Sequence, residues 1–87
     1  MNDLDHVFKP EGYFAEGSHS DVEAFNIEQE KWAEQAIEKL IIKYGIRRSE
    51  IKLDFTTWRN YRIALIYVRG GRYHYNPIRG RVHCAPA

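Results

Sequence analysis

The stretch that decides the fold is residues 51–76, IKLDFTTWRNYRIALIYVRGGRYHYN. Ile51, Leu53, Phe55 and Thr57 alternate with Lys52, Asp54, Thr56 and Trp58, the period of two expected of a β-strand. Arg59-Asn60 can turn the chain, and residues 61–69 follow as a β-branched and aromatic run. Gly70-Gly71 suits a two-residue hairpin turn, because glycine tolerates the positive φ that such turns need. Residues 72–76 return, Pro77 limits that strand or places it at an edge, and residues 78–83 offer a short final strand.

Taking both turns as two-residue connections fixes a register: Thr57 opposite Arg62, Trp58 opposite Tyr61, Val68 opposite Tyr73 and Arg69 opposite Arg72. Side-chain alternation then writes out two faces. One holds Ile51, Leu53, Phe55, Thr57, Arg62, Ala64, Ile66, Val68, Tyr73 and Tyr75, a coherent apolar surface. The other holds Lys52, Asp54, Thr56, Trp58, Tyr61, Ile63, Leu65, Tyr67, Arg69, Arg72, His74 and Asn76. Two separately chosen turns yield one consistent core, as expected when local and global preferences agree.

Working outward, residues 21–44 read as an amphipathic helix. Val22, Phe25, Trp32, Ala33, Ala36, Ile37, Leu40, Ile41 and Tyr44 recur near the helical period, with Gln29 the one polar gap in the stripe. Ser20-x-x-Glu23 forms a capping box, Asn26 is a competing N-cap, and Gly45 is the stop. Glu28, Glu30, Glu34 and Glu38 read as a solvated acidic face. Residues 1–19 hold no sustained period; Pro10, Gly12 and Gly17 mark them as an irregular arm or loop. The expected fold class is α+β: one long amphipathic helix packed on a three- or four-stranded antiparallel sheet at residues 50–83, with an irregular N-terminal arm, in a single domain spanning 1–87.

A chain of 87 residues, 44% hydrophobic and 29% charged, has the balance of an ordinary globule with a small core. Its longest apolar run, residues 63–68, is far short of the roughly 20 residues of a membrane-spanning helix, so no membrane association is expected. No basic-then-apolar leader opens the sequence, and the single cysteine, Cys84, makes no internal disulfide, which suits a reducing, cytoplasmic setting. Net charge +1 conceals a split: residues 1–44 carry ten acids against four bases (net −6), and residues 45–87 nine bases against two acids (net +7). Eight of those nine bases are Arg, the cation suited to phosphate, carboxylate and aromatic partners.

No constellation points to catalysis or a cofactor. Ser18-His19-Ser20-Asp21 places triad residue types side by side, whereas triad members meet from distant segments. His74, His83, Cys84, Asp3, Asp5 and His6 show no ligand spacing, and Cys84, near the chain end, lacks a fixed base to lower its pKa. Arg69-Gly70-Gly71-Arg72 is read as a hairpin turn with flanking charges rather than as a nucleic-acid motif.

A single helix covers one side of the sheet and leaves Trp58, Tyr61, Ile63, Leu65 and Tyr67 on the other. Three occupants compete for that side. They are the arm, through Leu4, Val7, Phe8, Tyr13 and Phe14; a second copy or another protein; and a single-stranded nucleic acid whose bases stack beside Arg. The function expected is a small non-catalytic binding protein that docks on a protein or nucleoprotein and modulates or inhibits it. The alternative is a nucleic-acid-binding module on the same face, and self-association there is compatible with both. The proposed contact centre is Trp58, Tyr61, Tyr67, Arg69, Arg72 and His74, with Arg59, Arg79 and Arg81 at the rim.

Overall fold

The computed structural model describes residues 5–8, 22–76 and 81–86. Among the described residues are one helix, α1 (Val22–Tyr44), four strands, β1 (Lys52–Trp58), β2 (Tyr61–Val68), β3 (Gly71–Asn76) and β4 (Arg81–Pro86), and 3-10 turns at Asp5–Phe8 and Arg48–Glu50. The strands form an open antiparallel sheet in sequential order, β1-β2-β3-β4, and α1 packs against it over β2. This is the expected α+β architecture with four strands rather than three. The last strand runs from Arg81 to Pro86 rather than over 78–83, so Cys84 lies within β4 and is exposed there.

Helix α1 buries Phe25, Gln29, Trp32, Ala33, Ala36 and Leu40, the predicted stripe together with its polar gap. Ile41 and Tyr44 fall outside it, each 38% exposed. Glu28 departs from the expected solvated face: it is buried beside Tyr75. Asn26 is an interior helix residue, not a cap; Ser20 lies outside the described residues. Gly45 ends the helix at φ 64°, donating to the Ile41 carbonyl at 3.2 Å while the Ile46 N–H reaches Leu40 at 3.1 Å. Those bonds satisfy terminal carbonyls and turn Ile46 into the core.

The β1–β2 register is the predicted one, Thr57 opposite Arg62 and Trp58 opposite Tyr61. Arg59 and Asn60 both have positive φ, 48° and 72°, the signature of a type I′ turn whose twist matches the strands. The second hairpin corrects the prediction. Val68 pairs with Gly71, and Ile66, not Val68, pairs with Tyr73. The turn residues are Arg69 (φ 48°) and Gly70 (φ 77°), so Arg69 is not a strand partner of Arg72. The cause is Tyr73, whose ring lies over Gly71: a Cβ there would sit 2.8 Å from Tyr73 Cε2. Only glycine allows this packing, so Gly71 serves in the strand and Arg69 takes the left-handed turn position. Moving the turn by one position changes the pairing by two residues, which leaves every side chain on its predicted face.

The described part of the arm, Asp5–Phe8, lies on the helix side of the sheet and not on the open face. Val7 and Phe8 are buried in the main core with α1. Phe8 stacks on Tyr73 at 3.9 Å and 11°, and the Trp32 indole N–H donates to the Phe8 carbonyl at 2.7 Å. The Asp5–Phe8 turn therefore extends the helix layer. Leu4, Tyr13 and Phe14 lie outside the described residues.

Candidate functional site

The sheet face opposite α1 is built by alternation along the strands. Lys52, Asp54, Thr56 and Trp58 come from β1, Tyr61, Ile63, Leu65 and Tyr67 from β2, Arg72, His74 and Asn76 from β3, and His83 and Ala85 from β4. Of the predicted site residues, Trp58, Tyr61, Tyr67, Arg72 and His74 share this face. Arg59 and Arg69 sit in the two turns at its opposite ends. Arg81 pairs with Asn76 in the β3–β4 ladder, and Arg79 lies outside the described residues. Among the described residues α1 and the Asp5–Phe8 turn occupy the other side, and Phe25 of α1 reaches this face at Tyr61, with ring centroids 4.9 Å apart.

Its aromatic rings are already engaged with neighbours. Trp58 is 59% exposed, yet the Arg59 guanidinium lies 4.9 Å over its ring and Tyr61 lies 6.2 Å away at 28°. The Lys52 ammonium sits 5.4 Å from the Tyr67 centroid. His74 and His83 form a cross-strand pair with rings stacked at 4.8 Å and 16°. Burial, then the charge of His83, then that of Arg72 lowers the His74 pKa below the ordinary histidine value. Lys52, Arg59, Arg69 and Arg72 have no acid partner among the described residues, and Asp54 is the one carboxylate on the face. By contrast Arg62, on the helix side, pairs with Glu30 at 3.3 Å and covers Phe55.

At one end of the face the sheet opens. The β2–β3 ladder runs only from Val68–Gly71 to Ile66–Tyr73. Bonded pairs alternate in an antiparallel ladder, so the next bond would join Ala64 to Tyr75. Instead the Gln29 side chain stands between them: the Ala64 N–H donates to Gln29 Oε1 at 3.1 Å, and Gln29 Nε2 donates to the Tyr75 carbonyl at 2.7 Å. One residue pair further, the Arg62 N–H donates to Asn26 Oδ1 at 2.7 Å. The Gln29 amide thus replaces a missing strand-to-strand bond and holds β2 and β3 apart there, and the Asn26 amide, one turn away, takes the β2 N–H beyond it. The gap forms a pocket of about 200 Å³ lined by Phe25, Trp58, Tyr61, Ile63, His74 and Asn76.

Sequence reasoning missed this pocket. Its one trace was Gln29, a polar residue inside an apolar helix stripe, which signals a buried hydrogen-bonding duty. The Ser18–Asp21 stretch lies outside the described residues, and among the described residues no three His, Cys, Asp or Glu side chains cluster as metal ligands do. No described helix is long and apolar enough to cross a membrane. Comparison with protein-family models, with curated proteins and with solved structures returns no match to this chain.

Proposed function

We propose that this chain is a small non-catalytic binding protein that docks on a protein partner, free or within a nucleoprotein, and modulates it. The docking surface is the sheet face opposite α1. The observation that carries the reading is exposed Trp58 with the Arg59 guanidinium over its ring, on a face whose Lys52, Arg59, Arg69 and Arg72 have no acid partner among the described residues. Exposed tryptophan beside arginine is the composition of an interface hot spot. The cation excess favours a partner with an acidic surface, by complementarity of potential. A nucleic acid is the alternative occupant of the same face, where Arg59 and Tyr61 flank Trp58, Lys52 lies over Tyr67 and His83 stacks on His74, contacts that a base would have to share.

The test is affinity capture from the lysate of producing cells, with and without nuclease, using the native chain and a double variant, Arg59→Glu with Arg72→Glu. Both side chains are exposed, so circular dichroism should show the variant folded. The expected result is a protein retained after nuclease by the native chain and lost by the variant. Capture that disappears entirely with nuclease assigns the face to nucleic acid. Equal capture by both proteins places the docking surface elsewhere.

A further inference from the structure

The gap between β2 and β3 gives the docking face a particular ligand chemistry. We propose that the pocket framed by Phe25, Trp58, Tyr61, Ile63, His74 and Asn76 is an anchor site that takes one aromatic side chain from an acidic segment of the partner. This rests on the docking reading above and specifies it.

Size sets the class of occupant. Small-molecule and cofactor sites begin at about 300 Å³, whereas this pocket holds about 200 Å³, the room of one inserted ring. Lining chemistry sets its character. Phe25 and Tyr61 already meet edge-to-face, at 4.9 Å and 72°, and Trp58 and Ile63 complete an apolar wall against which another ring can pack in the same manner. His74 supplies a polar group at the β3 side, suited to a phenol hydroxyl or an indole N–H.

Charge sets the flanking sequence. Arg59 stands over Trp58 at one end of the pocket, and Arg72 lies two residues from His74 on the same strand face. Neither has an acid partner among the described residues, so carboxylates on either side of the inserted ring would find cations. The pocket is also preformed, since the Gln29 amide bonded to both strand backbones keeps Ala64 of β2 and Tyr75 of β3 apart. A preformed pocket needs no reorganisation on binding, which is a property of anchor sites.

The experiment measures binding of the intact chain to three soluble polymers: polyglutamate, a random copolymer of glutamate and tyrosine, and oligothymidylate. The copolymer should bind at least about tenfold more tightly than polyglutamate, the range of a hot-spot side chain. Ile63→Trp, which fills the pocket, and Trp58→Ala, which removes its exposed wall, should abolish that preference. Trp58 is a surface residue, so its variant remains informative if Ile63→Trp fails to fold. Equal binding of the two acidic polymers overturns the anchor and leaves the docking face standing. A preference that survives Trp58→Ala also overturns it. Binding to neither acidic polymer overturns the acidic partner as well, and tighter binding to oligothymidylate overturns the proposal in favour of nucleic acid.

Discussion

Replacing Gln29 by Leu tests the wedge that opens the sheet. Gln29 is fully buried, and its amide is interposed in a strand-to-strand bond, taking the Ala64 N–H at 3.1 Å and giving to the Tyr75 carbonyl at 2.7 Å. Leucine has similar bulk and fills the space, so little cavity term arises. It makes neither bond and strands two buried backbone groups. Each such group costs about 1–3 kcal/mol. Part of this is regained because leucine is easier to bury than an amide, leaving a net loss of about 2–4 kcal/mol. In a domain of this size that lowers Tm by about 10–25 °C. Thermal and urea unfolding followed by tryptophan fluorescence measure the loss, and amide exchange at Ala64 locates it. Gln29→Glu is the companion variant. Its carboxylate accepts from Ala64 and, when ionised, donates nothing to Tyr75. Burial raises its pKa in the folded state, so its stability is highest below about pH 4.3 and falls as pH rises through the raised value. A loss in Gln29→Leu below about 0.5 kcal/mol, with Ala64 still protected, would refute the reasoning. It would mean that β2 and β3 close on each other and that Gln29 only fills space.

Gly71→Ala should destabilise by about 1–3 kcal/mol in urea titration. The new Cβ meets the Tyr73 ring at 2.8 Å, and Phe8 stacked on that ring at 3.9 Å prevents its retreat. The lowered pKa of His74 makes the unfolded chain the better proton acceptor, so stability is full above about pH 6.5 and declines as pH falls through the folded value. His74→Gln should flatten that part of the pH profile in urea unfolding at pH steps; an unchanged slope would assign it elsewhere. Asp54 Oδ1 accepts from the Phe55 N–H at 2.9 Å, and the register points that N–H away from β2 toward the open edge of the sheet. Asp54→Ala should therefore raise concentration-dependent self-association in sedimentation, with stability changed by less than about 0.5 kcal/mol.

Local chemistry accounts for what the sequence by itself determined. The period of two in residues 51–58, the helical stripe from Phe25 to Leu40 and the Arg59-Asn60 turn depend on neighbours a few residues away, so they are legible in order along the chain. From them came the two sheet faces and with them five face positions of the candidate site, Trp58, Tyr61, Tyr67, Arg72 and His74. Other features depend on residues that meet only after folding. The choice between Arg69-Gly70 and Gly70-Gly71 as the turn was decided by a Tyr73 ring that needs a bare Cα beneath it and Phe8 above it. The side taken by Val7 and Phe8 was decided by the Trp32 indole, which needed a carbonyl acceptor once buried. The pocket arose because Gln29, 35 residues from Ala64 and 46 from Tyr75, offers an amide that matches both strand groups at once. A donor and an acceptor so far apart in sequence carry no common periodicity. Their match exists only where α1 crosses the sheet, which is why tertiary structure alone could reveal it.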